Sequence, residues 1–236
     1  MRIGLFDSGL GGLTVLKTLL KKYPNNEYTY YGDTLNIPYG DKSKEELLKL
    51  ARENVKFLIN KKVDMIIVAC GTVSSNCLDI IKKESNIPIY SILEPTIEYL
   101  NNSNYKNILV MATHATINSH IFRNNVHKNI YEIETPKLVP MIESEDYTDL
   151  NEILHLYLDD YIGKIDALVL GCTHYPIIRD EIKKVIDTDI LDMSDYININ
   201  NGVKSNLALY FSKVDDKIIN NTKKILNLNY IDINLK

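Results

Sequence analysis

Two stretches of the sequence resemble each other and decide the fold: Val63-Asp64-Met65-Ile66-Ile67-Val68-Ala69-Cys70-Gly71-Thr72 and Ile165-Asp166-Ala167-Leu168-Val169-Leu170-Gly171-Cys172-Thr173-His174. Each is a short apolar run followed by a cysteine, and the two cysteines lie 102 positions apart. A second pair, Ile3–Ser8 and Ile108–Thr113, recurs at a similar offset of 105. Two strand-and-turn units in the same order predict two homologous halves.

Short runs rich in Ile, Val and Leu are typical of buried parallel strands. They occupy residues 2–6, 65–70, 87–93, 107–112, 167–172 and 190–193. Stretches with helical spacing lie between them, at 13–20, 47–58 and 150–161, and Ser43 followed by Glu46 predicts a capping box at the start of the second helix. This alternation predicts an α/β fold with two pseudo-symmetric, mainly parallel-sheet domains. We place the first at 1–93 plus 205–236 and the second at 94–204.

The composition excludes several classes of protein. The 236 residues are 45% hydrophobic, enough for a substantial core. The balance of 27 Lys and Arg against 31 Asp and Glu gives a net charge of −4, which makes nucleic acid a poor partner. No apolar run approaches the length of a membrane helix, and three cysteines without a secretory signal predict free thiols. We therefore expect a cytoplasmic protein.

Several reactive or polar side chains follow the predicted strands directly. Asp7 and Ser8, Cys70, Thr113 and Cys172 all stand at such carboxyl ends. Ligands of open parallel sheets bind beyond these ends. If the two halves face each other, these residues converge on one cleft, where we expect the active site.

Paired thiols, one from each half, suit the inversion of a carbon centre. One base must remove the Cα proton from one face while an acid delivers a proton to the other face. A free thiol has a pKa of about 8.5, so modest perturbation supplies both thiol and thiolate near neutral pH. Each cysteine also precedes a predicted helix, whose positive end favours the thiolate. Cys70 and Cys172 can thus exchange the roles of acid and base.

Seven ordered motifs spread over nearly the whole chain make it resemble the bacterial glutamate racemases, within the aspartate/glutamate racemase superfamily. The motifs are Gly4-Leu5-Phe6-Asp7-Ser8-Gly9-Leu10-Gly11-Gly12-Leu13-Thr14-Val15-Leu16, Tyr31-Gly32-Asp33-Thr34, Pro38-Tyr39-Gly40, Ala69-Cys70-Gly71-Thr72, Ala115-Thr116-Ile117-Asn118-Ser119, Val139-Pro140-Met141-Ile142-Glu143 and Leu170-Gly171-Cys172-Thr173-His174-Tyr175-Pro176.

The resemblance implies an enzyme that interconverts L- and D-glutamate for peptidoglycan without pyridoxal phosphate or metal. It implies that Cys70 acts on the D-enantiomer and Cys172 on the L-enantiomer, with Asp7 and His174 assisting. Positions that match substrate contacts are Asp7, Ser8, Pro38, Tyr39, Gly40, Gly71, Thr72, Thr173 and His174. Asp33 and Glu143 match accessory acidic positions.

One position departs from the family pattern. The residue after the first cysteine is usually asparagine, and here it is Gly71. The glycine removes an amide that matches a substrate contact. A water molecule that takes the place of the amide would cost little; otherwise the change alters affinity or substrate choice.

Simpler roles are open for most of these residues. Asp7, Thr72 and Thr173 can cap helices, residues 38–40 can form an ordinary turn, and Asp33 and Glu143 can be loop acids. We interpret Cys77 as a core residue and leave His114 outside catalysis.

Two alternative functions are retained. The first is racemisation of aspartate or another amino acid. The second is a non-catalytic zinc or small-molecule binding protein with Cys70, Cys172 and His174 as ligands. A homodimer is the assembly we consider, although the sequence does not decide it.

Overall fold

The computed structural model describes all residues, Met1–Lys236, and contains two parallel sheets. The first sheet has six strands in the order β10-β9-β2-β1-β3-β4. Its strands are β1 (Arg2–Asp7), β2 (Glu27–Gly32), β3 (Met65–Val68), β4 (Ile89–Ser91), β9 (Asn206–Phe211) and β10 (Ile233–Leu235). The second sheet has the order β6-β5-β7-β8, with β5 (Asn107–Ala112), β6 (Asn129–Glu134), β7 (Ala167–Leu170) and β8 (Asp189–Asp192).

The two sheets repeat one arrangement. The order β2-β1-β3-β4 of the first matches β6-β5-β7-β8 of the second. The registers match as well, because Ile3 pairs with Met65 and Ile108 pairs with Ala167. The predicted α/β fold with two similar halves is therefore confirmed. The boundaries near residues 93 and 205 stay a prediction, since one hydrophobic core contains residues of both sheets.

Helices connect the strands. They are α1 (Gly12–Lys22), α2 (Lys44–Asn60), α3 (Gly71–Asn76), α4 (Leu78–Glu84), α5 (Leu93–Asn102), α6 (His114–Asn118), α7 (Ile121–Asn125), α8 (Leu138–Ser144), α9 (Leu150–Leu158), α10 (Arg179–Val185) and α11 (Asp216–Leu226). Short 3-10 turns occupy Asp159–Tyr161, Tyr175–Ile178 and Met193–Tyr196. None of these helices combines the length and apolar character that crossing a bilayer requires.

Four strands were not predicted from the sequence: β2, β6, β9 and β10. β2 is Glu-Tyr-Thr-Tyr-Tyr-Gly, whose tyrosines form a strand without an aliphatic run. β6 and β10 are edge strands in which no residue is fully buried. Periodicity in aliphatic residues misses such strands because they are only partly buried. The predicted strand at 87–93 is shorter in the structure, where α5 already begins at Leu93.

The turns after β3 and β7 set the place of the two cysteines. Both strands end two residues before their cysteine, at Val68 and Leu170. Cys70 precedes α3 directly, whereas Cys172 is followed by a 3-10 turn before α10 begins. Only the first cysteine therefore occupies the predicted position at the start of an α-helix.

Candidate active site

A cleft with about 620 Å³ of empty space, part of it open to solvent, lies between the carboxyl ends of the two sheets. Cys70 and Cys172 both line it, and both are free thiols. Parallel strands that end at the cleft bring together residues far apart in the chain. The other lining residues are Ser8, Ile37, Pro38, Tyr39, Gly40, Asp41, Gly71, Thr72, Thr113, His114, Thr135, Pro136, Val139, Pro140, Gly171, Thr173 and His174.

Cys70 is buried on the side of the first sheet, with its Sγ 3.9 Å from Oγ of Ser8. Burial raises the pKa of the Cys70 thiol to about 12, and the charge of Asp7 acts in the same direction. The Val73 amide of α3 works against this increase, as the sequence led us to expect, but it is outweighed. In the free protein Cys70 is therefore a thiol at neutral pH: the helix favours the thiolate as expected, but burial and the charge of Asp7 outweigh that effect.

Cys172 stands at one end of a chain of polar side chains from the second half. Its Sγ lies 3.6 Å from Nδ1 of His174, and Nε2 of His174 lies 2.6 Å from Oε1 of Glu143. The backbone amide of Leu10, in the first half, donates to the same Glu143 oxygen at 3.3 Å. Glu143 thus connects the histidine to both halves.

Within this row of side chains, the pKa values of His174 and Glu143 shift in opposite directions. Burial lowers the pKa of His174, but its hydrogen bonds to Cys172 and Glu143 and their negative charges outweigh burial and hold that pKa well above its usual range. For Glu143, burial raises the pKa, whereas the hydrogen bond and charge of His174 leave it below its usual range. The pair therefore favours an imidazolium next to a carboxylate.

Asp7 joins the halves from behind the cleft. Its Oδ1 accepts a hydrogen bond of 3.2 Å from Oγ1 of Thr173, and its Oδ2 accepts one of 3.0 Å from the Gly9 amide. Asp7 does not cap α1, whose N-cap is Gly11 and has no side-chain hydrogen bond. Thr173 likewise uses its hydroxyl on Asp7 rather than as a helix cap.

The hydroxyl of Tyr39 is bonded within the first half of the protein. It donates to Oδ2 of Asp33 at 2.6 Å and accepts from Nδ2 of Asn54 at 3.2 Å. Asp33 also accepts from the Asn36 amide group. Asp33 therefore orients the turn at 38–40 from outside the cleft, and the polar groups that this turn offers to a ligand are those of its backbone.

Thr72 pairs with a residue of the other half. Its Oγ1 lies 2.9 Å from Oγ1 of Thr113, which in turn lies 3.1 Å from Oγ1 of Thr116. Nearby, the Ala115 amide donates to the carbonyl of Gly40 at 3.1 Å. Thr72 is thus part of a contact between the halves at the cleft and does not act as a simple helix cap.

The predicted site residues fall into two groups. Those that line the cleft are Ser8, Pro38, Tyr39, Gly40, Cys70, Gly71, Thr72, Cys172, Thr173 and His174; those that support it from behind are Asp7, Asp33 and Glu143. Cys77 is buried in the core.

Thr113, one of the strand-end residues expected at the cleft, lines it. The remaining lining residues were not in the predicted site. Thr135 and Pro136 follow β6, the edge strand that the pattern missed. His114 lines the cleft while its ring nitrogens contact Glu134 and Asn118.

No group of three or more His, Cys, Asp or Glu residues in the chain is arranged to hold a metal ion. The lining of the cleft also contains no lysine or arginine. An anionic ligand would therefore be held by uncharged donors and by histidine.

Each of the two similar α/β halves brings a buried thiol to the shared cleft. This arrangement defines a class of pseudo-symmetric enzymes with paired cysteines. Residues 34–196 match the family described as Asp/Glu/Hydantoin racemase. The chain belongs to this racemase family, and it is therefore an isomerase.

Several glutamate racemases are similar to this chain over most or all of its length. The glutamate racemase of Aquifex pyrophilus is 37% identical over 243 residues, which cover 98% of this chain and 96% of that protein. The glutamate racemase of Fusobacterium nucleatum is 40% identical over 200 residues, with 81% and 76% covered. The structure of glutamate racemase from Francisella tularensis in complex with D-glutamate superposes with a TM-score of 0.88 at 31% identity, covering 100% of this chain and 97% of that one.

Proposed function

We propose that this protein interconverts L- and D-glutamate by two-base proton transfer at Cα, with Cys70 and Cys172 as the bases and without a cofactor. One observation carries the proposal: two free thiols from equivalent positions of the two halves line a single cleft. The substrate is supported by the names of the relatives and by the D-glutamate bound in the Francisella tularensis structure.

The proton transfer balances without a redox step. Cys172 as thiolate takes the Cα proton of L-glutamate, and the electron pair of the broken C–H bond stays on Cα. The Cys70 thiol then delivers its proton to the opposite face and becomes a thiolate. In the reverse direction the two sulfur atoms exchange these roles, as microscopic reversibility requires.

The charges in the free protein suit the L-to-D direction. The raised pKa of Cys70 keeps it protonated, which is the form needed to deliver a proton. The His174 imidazolium, held by Glu143, stabilises an anionic sulfur on Cys172. In the D-to-L direction Cys70 must act as the base. The ammonium group of the bound substrate then supplies a positive charge that stabilises the Cys70 thiolate and that the free protein does not place beside it.

Substrate carboxylates are held by neutral donors in this proposal. The hydroxyls of Ser8 and Thr72 and the backbone amides of Tyr39 and Gly40 line the cleft without a competing lysine or arginine. Neutral donors do not cancel the charge of the carboxylate. Closure of the cleft would exclude water and lower the local dielectric constant, which would strengthen each of these hydrogen bonds.

The test is incubation of the purified protein with L- or D-glutamate in deuterated water. We expect deuterium at Cα of the inverted product and loss of optical rotation. Cys70→Ser and Cys172→Ser should each lower racemisation by about 100-fold or more, because general acid–base catalysis supplies that much rate. Cys77→Ala, at a core thiol outside the cleft, is the matched control and should racemise normally. Free racemisation by both serine variants would contradict the assignment.

The remaining parts of the proposal have separate tests. A panel of enantiomers distinguishes glutamate from aspartate or another amino acid, the alternative substrates. Stoichiometric zinc with activity lost on chelation would favour the binding-protein alternative. Growth of a D-glutamate-requiring bacterium on this gene would support a peptidoglycan role in the cytoplasm, and sedimentation would test the homodimer.

A further inference from the structure

Gly71 and Gly171 bring the backbones of the two strand-end loops into contact. A Cβ built on Gly71 would lie 2.9 Å from the carbonyl oxygen of Gly171, closer than real Cβ atoms approach an oxygen. The neighbouring oxygen belongs to the backbone, so it cannot rotate away as a side chain can. Gly71 therefore occupies a place where any other residue requires the two halves to shift.

The Gly171 loop has little freedom to retreat. Its amide donates to the carbonyl of Met111 at 2.8 Å. A Cβ on Gly171 would itself lie 2.8 Å from that carbonyl oxygen and 2.9 Å from Cβ of Ala112. The loop is thus packed against β5 from behind, and a side chain at position 71 would press on a fixed surface.

This contact lies directly beside both thiols. Gly71 follows Cys70 and Gly171 precedes Cys172, so one peptide unit separates the contact from each cysteine. A change in the distance between the two backbones here would therefore also move the two cysteines relative to each other.

Further contacts also join the two halves. We call these contacts, together with the one between Gly71 and Gly171, the seam. Nδ2 of Asn76 donates to the carbonyl of Ala115 at 3.1 Å, and a Cβ on Gly40 would lie 3.1 Å from Cβ of Thr113. The hydroxyl pair of Thr72 and Thr113 lies between them. A side chain at position 71 would therefore strain several short contacts between the halves and would not simply fill an empty space.

We propose that Gly71 is a positioning residue: in this chain the two loops that carry the thiols are packed so closely that a side chain at position 71 would move the loops, and with them the thiols, apart. The inference rests on the proposed function. Asparagine, the usual residue of the family here, would require a wider separation of the two loops than this chain shows.

Two effects on stability oppose each other at position 71. A side chain raises the helix propensity, and its steric contact with Gly171 is unfavourable. Gly71 is the first residue of α3, and its backbone is not in the left-handed region. Replacing such a helical glycine by alanine ordinarily stabilises a protein. A Gly71→Ala variant that is instead impaired would therefore identify the contact with Gly171 as the cause.

The experiment compares wild type, Gly71→Ala and Gly71→Asn by site-resolved alkylation with N-ethylmaleimide and mass spectrometry. We expect faster alkylation of Cys70 and Cys172 in both variants, because the seam between them opens. Cys77, buried in the core of the first half, is the internal control and should react as slowly as in wild type. Lys83→Ala, an exposed residue of the neighbouring helix α4, should leave all three rates unchanged.

A second readout follows the stereochemistry in deuterated water. Opening the seam should lower kcat for racemisation by about 10-fold, less than the roughly 100-fold that a misplacement of about 1 Å can cost, because relief of a 2.9 Å contact needs a smaller shift. Exchange of the Cα hydrogen with retention needs only one thiol, so its ratio to inversion should rise in the variants. Damage to the fold alone would lower both processes and leave that ratio unchanged.

Two results would overturn the inference. One is a Gly71→Ala protein that is more stable than wild type, racemises at the wild-type rate and shows unchanged alkylation. The other is faster alkylation of all three cysteines with an unchanged ratio of retention to inversion. A wild-type protein that does not racemise glutamate would instead overturn the proposed function, and the alkylation rates would still decide whether Gly71 sets the closeness of the halves.

Discussion

Glu143 holds His174 by a hydrogen bond of 2.6 Å while the other ring nitrogen of that histidine faces Cys172. The carboxylate never reaches the cleft, yet its charge helps to keep His174 protonated. Sequence alone left Glu143 as either an accessory group or a solvated loop acid. The structure rules out the solvated loop acid, because Glu143 is largely enclosed between the two halves.

Glu143→Gln should move the alkaline limb of the pH profile. Without the carboxylate charge, the pKa of His174 falls, and the imidazolium is lost at lower pH. We expect the alkaline limb of kcat/KM for L-glutamate to shift to lower pH. Glu145→Gln is the control, since Glu145 pairs with Lys224 at the surface. Coincident pH profiles for Glu143→Gln and wild type would contradict this role.

The same variant should change how stability depends on pH. A histidine whose folded pKa is raised contributes stability that is complete below its unfolded pKa and is lost as pH rises through the folded value. Glu143→Gln should weaken this dependence near and above neutral pH, which denaturant titrations at several pH values would measure.

At the scale of elements, α2 is the clearest case of a helix encoded locally. Ser43 accepts from the Glu46 amide at 3.2 Å, and the Glu46 carboxylate accepts from the Ser43 amide at 2.9 Å. Leu47, Ala51 and Leu58 are buried on one face, as their spacing predicted. The capping box and the three predicted helices are confirmed because both signals lie within a few residues of sequence.

Ser43→Ala should lower the free energy of unfolding by about 1 kcal/mol, the ordinary value of an N-cap. Ser43 is exposed and does not line the cleft, so racemisation should not change. Urea denaturation measures the effect, and Lys49→Ala, on the exposed face of the same helix, is the matched control. A loss for Lys49→Ala as large as that for Ser43→Ala would show that the cap contributes nothing specific.

At the scale of the whole molecule, the chain returns to its first sheet after building the second. β9 pairs with β2 along six residues, and the fully buried Phe211 packs on Tyr30 at a centroid distance of 5.7 Å. α11 then packs against α1. The first half is therefore assembled from two distant parts of the sequence.

A chain that ends at Lys204 should not unfold cooperatively, because it loses β9 and α11 and leaves the β2 edge unpaired. Burial of Phe211 alone is worth about 3 to 5 kcal/mol, a large part of the usual 5 to 15 kcal/mol of a domain. The control is a chain that ends at Leu228, which removes only the short edge strand β10. Circular dichroism during heating distinguishes the two, and a sharp transition in the shorter chain would contradict the expectation.

The sequence by itself determined the parallel strands that carry the thiols, the repeated halves and the placement of both cysteines at strand ends. These follow from local apolar runs and from the self-similarity of the chain, neither of which needs the fold. The edge strands and the tyrosine-rich strand β2 were not predicted, because their burial depends on which elements pack beside them.

Tertiary structure alone decided which side chains meet across the cleft. The bond between Thr173 and Asp7 joins residues 166 positions apart, and only packing reveals that the Tyr39 hydroxyl faces Asp33. The raised pKa of Cys70 and the contact that excludes a side chain at Gly71 belong to the same class. Burial, charge and steric contact depend on distances through space, and a linear sequence does not contain those distances until the halves have closed.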